Sequence, residues 1–197
     1  NTTTLQRAPE LSFYGVRERI PYIPNLYFDM DLVATNYYRE KGMDGQRAIL
    51  EPRLTSIHSL FDGRVNVSFF GGAQLRAYNT SKADPGIKDD QLIAIPKAGT
   101  QISSSFSRLY DVALLDYQRL RHELVPSLSY LYVGSVDQSA VPVFDQQDQL
   151  HAQQTVSFSL ASNLSGRIAK AGAAEYRNLM TLRLLQAYSF SGTRSNL

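Results

Sequence analysis

From Leu26 onward the chain alternates with a period of two. Even positions read Leu26, Phe28, Met30, Leu32 and Ala34, and odd positions read Tyr27, Asp29, Asp31, Val33 and Thr35, the pattern of a strand with one apolar and one polar face. It returns with Ala48, Leu50, Pro52 and Leu54 against Arg47, Ile49, Glu51, Arg53 and Thr55. After Asp62-Gly63, a hairpin signal, Val65, Val67, Phe69, Ala73, Leu75 and Ala77 oppose Asn66, Ser68, Gln74 and Arg76, and the intervening Gly71-Gly72 suggests a bend or bulge.

A serine-rich segment, 102–112, reads as a weaker strand. In 120–133, Leu120, Leu124, Leu128, Tyr130 and Tyr132 oppose Arg119, Arg121, Glu123, Ser127 and Ser129. Val156, Phe158 and Leu160 alternate with Thr155, Ser157 and Ser159, and finally Tyr176, Met180, Leu182, Leu184, Tyr188 and Phe190 with Glu175, Arg177, Thr181, Arg183 and Ser189. With a shorter candidate at 10–16, the pattern predicts about eight strands and no helical stripe, hence an all-β chain.

Strand length and charge placement narrow the architecture. Several segments keep alternating for roughly 12 to 16 residues, whereas strands of soluble proteins usually run about 5 to 6. Such lengths suit antiparallel, up-and-down transmembrane strands. The charged residues Asp29, Asp31, Arg47, Glu51, Arg53, Arg76, Arg119, Arg121, Glu123, Glu175, Arg177 and Arg183 all fall opposite the apolar rows, with Arg108 as the clear exception. A lipid-facing Arg or Lys at mid-membrane costs about 2 to 4 kcal/mol, so the sorted set is expected to be a lumen-facing row. A soluble antiparallel sheet with one wet face would sort charges in the same way. Connections are expected short near 59–63, 113–117 and Ser165-Gly166, and long at 81–96 and 135–149, as in a barrel wall threaded up and down. Tyr27, Tyr37, Tyr38, Tyr78, Tyr110, Tyr117, Tyr130, Tyr132 and Tyr188 lie mostly toward strand ends, where interfacial girdles form, although aromatics favour strands in any case.

Composition adds limits. The chain has 197 residues with 43% hydrophobic, a formal charge of +2 and no Cys, so no strong basic field points to nucleic acid, and there is no disulfide framework or thiolate metal site. No run of about 18 apolar residues exists to form a transmembrane helix. The start at Asn1-Thr2-Thr3-Thr4, with neither an initiator Met nor a leader, is expected of a processed protein or a piece of a longer one. His58, His122 and His151 lack partners at metal-ligand spacing, so no metal site or cofactor is expected. No nucleophile elbow or triad is visible. Asp29 with Asp31, and Glu51 beside Arg53, could be paired acids or bases, but residues two apart on a strand simply share a face. Gly71-Gly72 lacks phosphate-loop spacing, and Asn79-Thr80-Ser81 matches a glycosylation sequon, a pattern frequent by chance. Pro52 and Pro126 sit mid-run, where each deletes a ladder donor and predicts locally weak pairing. The segments around them resemble each other, as a duplicated hairpin would.

Several ordered motifs resemble a known family. Leu5-Gln6-Arg7-Ala8-Pro9-Glu10-Leu11, Leu26-Tyr27-Phe28-Asp29, Thr35-Asn36-Tyr37-Tyr38-Arg39 and Gly45-Gln46-Arg47 leading to Pro52-Arg53-Leu54 are similar to the barrel of the lipopolysaccharide-assembly outer-membrane family LptD, also called organic solvent tolerance protein. Arg121-His122 to Pro126, Ser129-Tyr130-Leu131-Tyr132-Val133, Val136-Asp137-Gln138 and Pro142-Val143-Phe144-Asp145 agree with a family segment that ends one strand and opens a loop. The resemblance implies an outer-membrane translocon of a Gram-negative bacterium, inserting lipopolysaccharide into the outer leaflet without covalent chemistry. Its implied partners are lipopolysaccharide, outer-membrane lipid, an LptE-like plug lipoprotein and a periplasmic Lpt bridge reached through an N-terminal jelly-roll domain. Residues 1–197 would then be one segment of a much larger barrel, with the jelly roll and the remaining wall outside it. Two other readings stay open at this point: a small complete porin-like or structural barrel, and a soluble β-sandwich binding module.

Overall fold

The computed structural model describes residues 5–81, 85–114, 116–149, 151–170 and 173–191. Ten strand segments join one antiparallel sheet: β1 Gln6–Tyr14, β2 Glu18–Arg19, β3 Leu26–Tyr38, β4 Asp44–Leu60, β5 Val65–Ser81, β6 Asp90–Ser104, β7 Phe106–Leu114, β8 Tyr117–Val133, β9 Gln153–Lys170 and β10 Ala173–Ser191. The main path has eight members in the order β1-β3-β4-β5-β6-β8-β9-β10, while β2 pairs with β3 and β7 with β8. The sheet is open, with β1 and β10 at its ends. β4, β5 and β8 each have 17 residues, a span of roughly 55 Å at 3.3 Å per residue. Tilted by about 45°, such a strand still rises roughly 40 Å, more than a hydrocarbon core requires.

Register carries the two faces across the sheet. Phe28 pairs with Leu54, Leu54 with Gly71, Gly71 with Ala98 and Ala98 with Tyr132, and Leu128 with Phe158 lies on the same side. This apolar face has no cover among the described residues: Leu92 is 77% exposed and Leu184 55%. A sandwich needs a second sheet against that face, and the described residues form one sheet. The opposite face runs from Thr35 through Arg47 to Tyr78, and from Asp29 through Arg53 to Gly72 and Lys97. Its buried apolar core is small: Tyr37, Tyr78, Val141 and Phe144, with Ile93 packed against them. This core sits on the polar side, beneath the connection 134–152.

Four sequence expectations change. Gly71-Gly72 makes no bulge, because the β4–β5 and β5–β6 registers pass it without a shift. Gly72 instead admits the Pro52 carbonyl, which a Cβ there would strike. The expected long connection at 81–96 is shorter, since β6 begins at Asp90. Ser165-Gly166 lies inside β9, where Gly166 makes room for the Tyr117 ring, and the turn falls at 171–172, outside the described residues. The expected strand 102–112 is split at Ser105 between β6 and β7.

The remaining turns follow local chemistry. Between β4 and β5, Phe61, Asp62 and Gly63 all adopt positive φ, at 53°, 56° and 81°, and the Arg64 amide donates to the Phe61 carbonyl. Asp and Gly tolerate this left-handed backbone best. Connections at this end of the sheet span 61–64, 115–116 and 171–172, while those at the other end span 39–43, 82–89 and 134–152.

Candidate functional site

The polar face is organised around Arg47. Three paired strands bring Thr35, Arg47 and Tyr78 into one row, with Tyr37 one step up β3. Connection 134–152 folds onto this row. Its Phe144 ring stacks on Tyr37 with centroids 4.5 Å apart and planes within 5°, and lies 6.5 Å from the Tyr78 ring. The Arg47 guanidinium stands 5.1 Å from the Tyr37 ring centroid. It donates through Nη1 to Asp145 Oδ1 at 2.8 Å and Asp148 Oδ1 at 2.9 Å, and through Nη2 to Asp145 Oδ2 and Gln147 Oε1, both at 3.1 Å. Tyr37 Oη donates to Asp145 Oδ2, and Tyr78 Oη to Asp148 Oδ1, each at 2.8 Å. Arg7 adds a further bond to Asp145 Oδ2 at 2.9 Å.

Local sequence shapes the loop so that its acids converge. Asp145 caps a 3-10 turn, Gln146–Asp148, by accepting from the Gln147 amide, while Asp148 Oδ2 accepts from the Phe144 and Asp145 amides at 2.8 and 3.0 Å. This reciprocal capping box satisfies backbone donors that the loop would otherwise bury unpaired. Burial alone would push the Asp145 carboxyl up. Hydrogen bonds from Arg47 and Tyr37 and the Arg47 charge outweigh that effect and hold it at about 2. Asp148 is completely buried, and Arg47 nearly so. Two such charges are tolerable inside a protein only when paired and fully hydrogen-bonded, as here.

Two further clusters lie along the same face. The Glu51 carboxylate accepts from Lys97 Nζ at 3.0 and 3.1 Å and from Gln74, whose Oε1 accepts from Arg76 Nε at 2.8 Å. Asp29 is held between Arg17 at 3.2 Å and Arg53 at 3.1 Å, with Arg53 over the Phe70 ring. Phe70 in turn lies over Gly99, where a Cβ would collide with the ring. Asp31 pairs in register with Glu51, next to these clusters.

Toward β10 the ionic contacts loosen. Arg119 pairs with Asp111 at 2.7 Å, and Arg121 with Glu123 at 3.2 Å, with both arginines about half exposed. Glu123 also accepts from Ser105. Arg183 stands opposite Ala161 on this face. Arg177 does not. A register shift between Asn178 and Met180 sets it opposite Gly166, which pairs with Leu120, so it occupies the apolar side beside Glu175 rather than the row predicted from strict alternation. An extra residue in one strand exchanges the faces of everything beyond it. Arg108, opposite His122, is on the apolar side as the sequence indicates, with its guanidinium 5.4 Å from the Tyr110 ring centroid.

Sequence reasoning misplaced two aromatics and, although it expected the long connection at 135–149, missed its docking on the polar face. Tyr37 and Tyr78 are buried on the polar face, not in an exposed girdle. Asp145 and Phe144 belong to a recognised family motif, Pro142-Val143-Phe144-Asp145, but nothing local showed that it docks on Arg47. Apolar Ile93 and Ile95 on the polar face are the available signal, since residues there need a cover. The prolines fall at lapses in the ladder. β4–β5 pairing passes from Leu50–Leu75 to Arg53–Gly72, and Pro126, which pairs with Leu160 on β9, faces the interval between β6 and β7 on its other side.

One long-stranded antiparallel sheet, mostly apolar on a face that none of the described residues covers and ionic on the other, defines a wall of an outer-membrane type of β-barrel. The family model LptD, LPS transport system D, matches residues 1–177, and the chain belongs to that family. The family serves lipopolysaccharide transport, and its members are outer-membrane proteins of Gram-negative bacteria. No curated protein sequence matches the chain.

Proposed function

We propose that the chain is a stretch of barrel wall in the translocon that inserts lipopolysaccharide into the outer leaflet of the outer membrane. The observation that carries this reading is the division of the sheet: a predominantly apolar surface suited to lipid, broken by Arg108 and by the Arg177–Glu175 pair, and backed by ionic clusters suited to a wet lumen. In it, Asp29, Asp31, Arg47, Glu51, Arg53, Arg76, Arg119, Arg121, Glu123 and Arg183 face the lumen, and Arg177 lies outside that row. The short-turn end is periplasmic, and connection 134–152 is extracellular, by the asymmetry common to bacterial barrels. An LptE-like lipoprotein fills the lumen, and the periplasmic bridge engages a jelly-roll domain outside these residues. Pro52 and Pro126 weaken pairing locally without a part in the chemistry.

Photocrosslinking in cells tests this. Crosslinkers at Asp31, Thr55 and Ser129, on the polar face, are expected to capture both the plug lipoprotein and newly made lipopolysaccharide, while those at Leu50 and Leu75 capture no plug. Silence from all three polar positions, with the protein folded in the outer membrane, sinks the reading.

A further inference from the structure

Every side-chain donor in the Arg47 cluster belongs to the wall, and the carboxylates it holds belong to the loop, whose own amides also donate to them. Tyr37, Arg47 and Tyr78 stand on the successive strands β3, β4 and β5, so their spacing is set by the sheet whether or not the loop is present. They converge on the oxygens of two carboxylates. A guanidinium fork flanked by phenol donors suits phosphate oxygens equally well. Beside this set, Arg76 is 1% exposed, and its Nη1 has no hydrogen-bond partner. It lines a cavity of about 370 Å³ together with Gln147 of the loop. Arg76 Nε is held by Gln74, but a buried guanidinium nitrogen without an acceptor is costly, and an acceptor that arrives with a ligand best explains the placement of Nη1. Arg7, Arg47 and Arg76 also outnumber Asp145 and Asp148 in charge. Glu51 on the cavity wall is already taken by Lys97. Asp31 lines the cavity too and opposes an anion there, which places the seat on the ground held by the loop carboxylates.

Resting on the transport reading above, we infer that Arg47, Arg76, Tyr37 and Tyr78 form an oxyanion seat for the phosphorylated headgroup of a glycolipid, which Asp145 and Asp148 occupy as built-in competitors until the lipid displaces them. The loop thereby closes an empty wall and yields to an occupied one.

The test uses the full-length protein in detergent, carrying a nitroxide at Gln146→Cys on the exposed side of the loop. A bisphosphorylated glucosamine-disaccharide glycolipid is expected to mobilise the nitroxide, its dephosphorylated counterpart to leave it unchanged, and inorganic phosphate to act only at far higher concentration. Equal potency of inorganic phosphate would support the seat but assign it to the free ion. Asp145→Asn with Asp148→Asn removes the competitor and should tighten binding of the phosphorylated lipid about tenfold if the loop is docked nine-tenths of the time. Heat-modifiable migration verifies folding of that variant. Should it not fold, Asp145→Asn alone leaves Asp148 on Arg47 and should still tighten binding measurably. A docked loop at saturating phosphorylated lipid, or unchanged affinity in a folded variant, overturns the seat. That failure is separate from a failure of the transport reading, which the cellular crosslinks decide independently.

Discussion

Two halves of one sheet treat charge in opposite ways. Around β3 to β5, Arg47 is shut under connection 134–152 with two acids, two phenols and a stacked Phe ring. Around β7 and β8, Arg119 with Asp111 and Arg121 with Glu123 stand open, with no loop over them among the described residues. Distances are similar in both halves, so geometry alone does not separate them. Burial does, because removing water strengthens each contact and makes loss of one partner expensive.

The contrast should show most in Arg47→Met. That change strands Asp145 and Asp148 without their main counter-charge, and is expected to cost about 3 to 5 kcal/mol, read as a lowered urea midpoint in detergent together with protease cleavage within 134–152. An unchanged midpoint and an intact loop would show that the cluster is incidental. Next comes Phe144→Ala, which empties the stack between Tyr37 and Tyr78 and should cost about 3 kcal/mol, with the loop less protected against proteolysis than in the parent. Acid gives a graded version of the same break. The folded Asp145 carboxyl titrates at about 2, below its ordinary 3.8, so its contribution is present above about pH 4 and is lost as pH falls through 2. The loss is on the order of 2 kcal/mol, and loop release between pH 4 and 2 should follow it. If release came instead above pH 5, another group would be responsible. Smallest is Arg119→Ala, where an exposed pair is worth less than about 1 kcal/mol, and the unfolding midpoint should scarcely move.

How much could be read in advance differs along the same division. Alternation located β3, β4, β5, β8 and β9, and most of their faces, because a period of two is a property of neighbouring residues. It failed on the first half of β6. There Ile93 and Ile95 place apolar side chains on the polar face, which erases the two-faced pattern, and Ile93 packs against the docked loop. It failed again before Met180, where one extra residue turns Arg177 outward, and no local preference announces a bulge. Tyr37 and Tyr78 seemed suited to an interfacial girdle because their strand-end positions were visible and their partners were not.

By itself the sequence determined an antiparallel, two-faced wall: strand length, the face of most charges and the Asp62-Gly63 turn all follow from neighbours in the chain. Only the tertiary structure decided which charges are buried. Arg47 meets Asp145 from 98 positions away, across strands whose register places Tyr37, Arg47 and Tyr78 together. A buried ion cluster is stable only when all its members arrive, and that convergence is a property of the folded sheet and its loop, not of any single segment.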